Sequence, residues 1–283
     1  MLAIAFPFVF AILWASSYAA AKIGLRDITP YAFVALRLAI AAAAALLLAF
    51  LLRRSFARLA GRWHHLMIGG ALVHGLALGT AHAALVSIDA TPTALVHAFH
   101  PILTAALGAL MLGERFRWWQ WLGVALGFAG VLLGVPLRAD PQVLILLGVS
   151  LFGLSAGTLY LRRFCAHVPA FEATAVQLIG GALLCLALML ALETPQARWS
   201  ADLALAMAWN IGIMSILGMA IYNVMLERHG AGRAASGFFI VPGASALLAW
   251  ALLGEQVALL TLAGLVLATH GVLLVWRRPA AGG

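Results

Sequence analysis

Residues 94–133 read ALVHAFHPILTAALGALMLGERFRWWQWLGVALGFAGVLL, and residues 235–274, which start 141 positions later, read ASGFFIVPGASALLAWALLGEQVALLTLAGLVLATHGVLL. Thirteen of the forty positions are identical without a gap. Pro101 falls on Pro242, Gly113-Glu114 on Gly254-Glu255, Gly123 on Gly264, and the run Gly130 to Leu133 on Gly271 to Leu274. Self-similarity at a fixed offset reports architecture, because each copy is one structural unit used twice. The offset extends backward to pair Lys22 with Arg163 and Leu85 with Leu226. A slip of one or two residues then brings Pro30 near Pro169 and Arg37 near Gln177. The chain is thereby divided into a first copy, 1–137, and a second, 138–283.

What each copy is made of follows from composition. Of 283 residues 65% are hydrophobic and 9% charged, with a mean hydropathy of +1.06. A soluble domain carries about a quarter charged residues and could not cover its surface with so few. A bilayer core of about 30 Å needs roughly 20 apolar residues in a helix, because unsatisfied backbone groups in lipid are costly. Ten segments qualify: 4–22, 31–51, 66–86, 92–112, 118–136, 142–161, 170–191, 203–226, 233–253 and 258–276. The first has a counterpart in mid-chain and is read as a span, not a leader.

The connections between them are short, and their charge alternates. The even ones and the C-terminus hold twelve Arg, from Arg53 to Arg278, whereas the odd ones hold Lys22, Arg26, Arg138 and Arg198. Basic residues near span ends stay cytoplasmic, so both termini are expected inside. Five spans per copy is an odd number, so the second copy enters the membrane in the opposite sense. The expected fold is an all-α integral membrane protein of ten transmembrane helices in two inverted five-helix repeats. Such repeats are a common basis of alternating access. The net charge of +8 does not point to nucleic acid, because the sixteen Arg and one Lys are scattered between apolar runs.

Leu13-Trp14-Ala15-Ser16-Ser17 leading to Lys22, Arg37 in the second span, Ala94 to Pro101 ending in Leu112-Gly113-Glu114, and the echo from Pro242 to Gly254-Glu255 before a Gly-rich last span resemble the EamA branch of the drug/metabolite transporter superfamily. The resemblance covers essentially the whole chain. It implies an exporter-type carrier whose cavity is lined by spans one, three, four, six, eight and nine, with five and ten at the periphery. It does not specify a substrate.

Polar side chains at membrane depth are costly and face a cavity or a partner helix. Thr93, His97, His100 and Thr104 are spaced by four, three and four, which places them on one face of the fourth span over roughly 16 Å. Polar residues of this kind also glue helices together, and both readings stand. Two imidazoles on one stripe favour substrate binding by His97 and His100. Pro101 in the same helix lacks an N–H and is expected, with Pro242, to act as a hinge. The third span offers His74 as the deeper site candidate and His82 as a group bonded to a neighbour, the two about 80° apart around the helix. Trp14, Ser17, Tyr18 and Ala21 form one stripe on the first span, and the resemblance places the Trp14-x-Ser16 segment and its neighbour Ser17 at the cavity. Tyr222, with Asn223 and Ser215, and Phe238, which falls where the first copy has His97, would form the second wall. Arg37 alone lies within a span, about two turns from its start, and must snorkel, pair or contact substrate.

Imidazoles, hydroxyls and aromatics without a firmly buried lone charge suit a neutral, zwitterionic or aromatic solute better than a phosphate ester. The expected function is export of a small amino acid or related metabolite by a multi-pass protein of the inner membrane. Its partners are the solute and the lipid bilayer, with a homodimer left open. No cofactor or metal is expected, and no enzymatic activity: there is no His-Glu-x-x-His, no Asp pair and no nucleophile beside a base, which disfavours an intramembrane histidine enzyme. A flippase for lipids or lipid-linked carriers is the alternative within the same superfamily.

Overall fold

The computed structural model describes residues 2–112, 117–135, 140–166, 168–218, 221 and 240–276. The described residues are helical apart from short connections and one isolated bridge between Ile28 and Ala197. The helices are α1 (Leu2–Gly24), α2 (Pro30–Leu51), α3 (Trp63–Leu85), α4 (Ala90–Ala98), α5 (His100–Leu112), α6 (Trp118–Gly134), α7 (Pro141–Phe164), α8 (Ala170–Leu192), α9 (Ala201–Ala208), α10 (Val241–Leu253) and α11 (Leu259–Trp276). Each falls on a segment expected to span the membrane, and α4 and α5 are two halves of the fourth. Five stretches of 21–24 residues are long and apolar enough to cross a bilayer: α2, α3, Ala90–Leu110, α7 and α8. Polar groups point inward while leucines such as Leu47, Leu110, Leu190, Leu247 and Leu259 stand exposed outside. That distribution suits a lipid solvent and inverts what water would select.

The helix ends are satisfied by identifiable groups. Pro30 and Pro141 occupy first turns, where a missing N–H costs nothing. Ser200 caps α9 by accepting from the Leu203 N–H at 3.0 Å. The orphan N–H groups of α2 are met in trans: the Glu193 carboxylate, just past the end of α8, accepts from Tyr31 at 2.9 Å and Ala32 at 3.3 Å. Gly254 ends α10 with φ +68°, a conformation that favours glycine.

Among the described residues, two large apolar cores and a smaller one around Leu59, Leu66, Ala173 and Val176 hold the bundle. Of the large two, one joins α1, α2, α8, α9 and α10 through Ala15, Phe33, Leu38, Cys185, Leu203 and Ala249. The other joins α4, α5, α6, α7 and α11 through Val96, Phe99, Ile102, Val131, Leu147 and Val272. α6 and α11 lie antiparallel, zipped by glycines. A Cβ on Gly123 would stand 2.5 Å from the Gly271 carbonyl oxygen, and one on Gly271 2.5 Å from that of Gly123. Gly130 meets Gly264 the same way.

Two helices depart from α geometry, and they do so at matching places in the two copies. α3 carries a π-helical stretch at Ala71–Leu76, and α9 continues into another at Trp209–Gly218. The 141-residue offset carries the first onto 212–217, inside the second. π turns appear frequently at functional sites, because the extra residue re-aims side chains.

Candidate functional site

The π stretches face each other across a cavity of about 90 Å³ inside the bundle. Val73 and His74 come from the first, Met214 and Ser215 from the second. Trp14, Ser17 and Tyr18 of α1 close one side, Arg37 and Leu38 of α2 another, with His82 of α3, His97 of α4, Leu154 of α7, and Thr174 and Leu178 of α8. α2 and α8 therefore line the cavity together with spans one, three, four, six and eight of those the family resemblance implied, whereas no described residue of span nine is among the lining.

A directional hydrogen-bond chain crosses the bundle beside it. The Trp14 indole N–H donates to the Tyr18 hydroxyl at 3.3 Å, which lies 2.6 Å from His97 Nδ1. His97 Nε2 is 2.7 Å from the Ser150 hydroxyl, and that hydroxyl is 2.6 Å from the Ala77 carbonyl oxygen. A carbonyl oxygen can only accept, so Ser150 donates its single proton to Ala77 and must accept from His97. His97 thus carries a proton on Nε2, and its Nδ1 lies against the Tyr18 hydroxyl. The chain satisfies every polar group in it while joining α1, α4, α7 and α3. Tyr18 and His97 also stack, at 5.9 Å between centroids.

His97 is the member of the expected stripe that reaches the cavity. The helix is interrupted at Phe99, whose N–H bonds Val96 O at 3.1 Å, and α5 restarts at His100 with Pro101 in its first turn. His100 turns toward Ser155 of α7, its Nδ1 lying 3.2 Å from that hydroxyl and 3.0 Å from Thr104 Oγ1. It is not among the lining residues, nor are Thr93 and Thr104; Thr93 closes back on Asp89 O at 3.0 Å. The gluing role fits His100, which bonds Ser155 of α7, whereas Thr93 and Thr104 bond within their own helices. Pro242 likewise sits in the first turn of its helix, α10.

His74 and His82 both line the cavity, because the π turn sets the helix face back and narrows their separation. His82 donates from Nδ1 to Leu78 O at 2.7 Å and stacks on Phe33. Tyr222 and Phe238 lie outside the described residues.

Arg37 does not snorkel. Its side chain is 5% exposed and lines the cavity, and its buried Nε has no hydrogen-bond partner among the described residues. The sequence reading of a cavity without a buried lone charge is therefore corrected: α2 is tucked between α3 and α8, so depth along the helix does not bring Arg37 to the interface.

At the end of the bundle where α1 finishes, an ionic clamp ties three helices. Lys22 Nζ lies 2.8 Å from Asp89 Oδ1 and 2.8 Å from Glu255 Oε1, and donates to Ile88 O at 3.1 Å. Glu255 also accepts from the Ala90 N–H at 3.1 Å, so it caps α4 from the end of α10. Its repeat counterpart, Glu114, lies outside the described residues.

An apolar cavity set with a few hydroxyls, imidazoles and one guanidinium inside an apolar bundle suits a membrane carrier, and comparison with known proteins identifies the family. The model of the EamA-like transporter family matches residues 1–135 and again 142–277. The chain belongs to that family. It is 28% identical over 276 residues to the uncharacterized inner membrane transporter YedA of Escherichia coli (strain K12), covering 95% of this chain and 88% of that protein. It is 25% identical over 281 residues to a probable amino-acid metabolite efflux pump of Salmonella typhimurium, covering 92% and 90%. A crystal structure of 19% identity aligns over 97% of this chain and 96% of that one with a TM-score of 0.69, which places the fold among those already solved. This EamA-family chain is accordingly a multi-pass membrane protein of transporter type.

Proposed function

We propose that this EamA-family protein exports a small amino acid or related metabolite across the inner membrane, by alternating access between two inverted five-helix repeats with both termini in the cytoplasm. The observation that carries the reading is the cavity itself, small, mostly apolar with a few polar side chains, and lined from both copies by residues of the two π stretches. A volume of about 90 Å³ suits a small solute rather than a lipid. The efflux pump among the relatives supports the same substrate class.

Two further features support inverted repeats. The family model matches each copy separately. The offset of 141 also converts the contact Gly123–Gly271 into Gly264–Gly130, as a two-fold axis in the membrane plane would require. On this reading Trp14, Ser17, His74 and His97 contact the solute, with Tyr222 and Phe238 completing the second wall, while His100 belongs to the supporting structure. The Lys22 clamp closes the end facing away from the cytoplasm. The same offset assigns Arg163 and Glu114 to the opposite closure. Pro101 and Pro242 let the half-helices swing.

The test is counterflow in proteoliposomes preloaded with unlabelled amino acids. Accumulation of a labelled amino acid against no net gradient is expected. Failure of every amino acid, with movement of a fluorescent lipid between leaflets, would replace this reading with a flippase.

A further inference from the structure

The cavity carries a more specific message in the way its polar groups are already committed. The Ser17 hydroxyl donates to Trp14 O at 2.6 Å, Ser215 to Asn210 O at 3.0 Å, and Thr174 to Ala170 O at 2.8 Å. Each hydroxyl has one proton, so toward the cavity all three can only accept. His82 is in the same condition. Its Nδ1 proton is fixed on Leu78 O at 2.7 Å, which leaves Nε2 as a bare lone pair, and that nitrogen is buried without a partner among the described residues. His97 contributes nothing free, because both its nitrogens belong to the chain from Tyr18 to Ser150.

Against these acceptors stands one cation. The Arg37 guanidinium cannot accept and does not lose its proton. It forms no ion pair among the described residues, where the salt bridges belong to Lys22. A buried guanidinium and a set of inward lone pairs call for opposite partners: an anion with two oxygens for Arg37, and N–H donors for His82 and the hydroxyls.

Resting on the carrier reading above, we infer that the solute is zwitterionic, its carboxylate held by Arg37 and its ammonium group by His82 Nε2 and the inward-facing hydroxyl oxygens. Neither Arg37 nor His82 need act in the transport cycle itself for this to hold. They are the two poles that read the ligand, and the acceptor character of the hydroxyls excludes a solute with an anionic group alone. A plain carboxylic acid would leave His82 Nε2 bare. A plain amine would leave Arg37 unpaired in a low-dielectric site.

Thermal stabilisation of the purified full chain by matched ligands tests this without relying on transport. Alanine, leucine and phenylalanine are each compared with the carboxamide, which lacks the anion, and with the deamino acid, which lacks the ammonium. At least one amino acid is expected to stabilise the protein, with both of its truncated partners weaker by about ten-fold or more. Arg37→Gln is expected to erase the difference between acid and amide, and Arg37→Lys to retain part of it. His82→Phe should erase the difference between amino acid and deamino acid. The inference is overturned if a carboxamide or deamino acid binds as tightly as its parent, if Arg37→Gln keeps the discrimination, or if no amino acid binds. Should Arg37→Gln fail to fold, the wild-type ligand series and Arg37→Lys still decide. Counterflow of a solute that is not a zwitterion would overturn this inference and leave the carrier reading standing.

Discussion

Between α6 and α11 the residues that meet are those the two copies share: Gly123 lies against Gly271, and Gly130 against Gly264. At the cavity residues of the first copy, the sequence offset pairs unlike residues. The offset sets His74 against Ser215 and His97 against Phe238, and brings Arg37 close to Gln177. Identical residues meet at the α6–α11 contact, as the proposed two-fold relation between the copies would require. Divergent residues at the cavity are what the proposed zwitterionic solute, with its unlike ends, would require. All the imidazoles and the one cation of the described lining come from the first copy, and the second supplies hydroxyls and apolar groups.

The comparison breaks most readily at the glycines. Leu at Gly123 or Gly271 forces a side chain against a backbone carbonyl, which cannot rotate aside, so the cost should reach or exceed the ~1–3 kcal/mol typical of overpacking. Size-exclusion profiles and melting curves should show loss of folded protein. Gly148→Leu, where a Cβ meets nothing within 4 Å, should melt with the wild type. Equal behaviour of the two would mean that the α6–α11 zipper contributes no stability.

Next in size is Tyr18→Phe, which removes a hydroxyl that serves Trp14 and His97 together. Leaving a buried group unsatisfied costs about 1–3 kcal/mol, and transport should fall several-fold as the His97 ring loses its anchor. A variant with wild-type melting and transport would show that the chain of hydrogen bonds does not order the site.

Glu255→Gln should have the smallest effect on stability, on the order of 1 kcal/mol or less, because Lys22 keeps Asp89 and the amide can still cap α4. Its signature should be kinetic: a change in transport rate with little change in affinity for solute. Rates and affinities that both match the wild type would remove the clamp from the cycle.

The sequence disclosed the parts of this account that depend on local composition. Hydropathy located the helices, and the repeat from Pro101 to Gly254-Glu255 indicated duplication. Trp14, Ser17, His74 and His97 were placed at the cavity by spacing and resemblance, and the lining includes all four. What escaped depends on geometry between distant residues. Ser150 bonds His97 from 53 positions away, and nothing in the run around Ser150 marks it out from other serines. Apart from His74 itself, the π stretch at Ala71–Leu76 carries only residues that are common in membrane helices, Gly75 included, so the placing of both His74 and His82 on the cavity has no compositional cue. Helical spacing groups His100 with His97 on one face, and that spacing breaks at Phe99. Pro101 signalled a disturbance there, but not that the chain would restart and turn His100 onto Ser155. Arg37 was judged by its distance from the helix start, whereas its burial is decided by the helices packed around α2.

The most direct test compares counterflow by proteoliposomes holding equal amounts of folded wild type, His97→Ala and His100→Ala. Because His97 lines the cavity and holds Tyr18 and Ser150 in place, His97→Ala is expected to lose most uptake of the labelled amino acid while His100→Ala keeps it within about two-fold, since His100 faces Ser155 and not the lining. Full uptake by His97→Ala, or an equal loss in both variants, would contradict the assignment of this cavity as the solute's path.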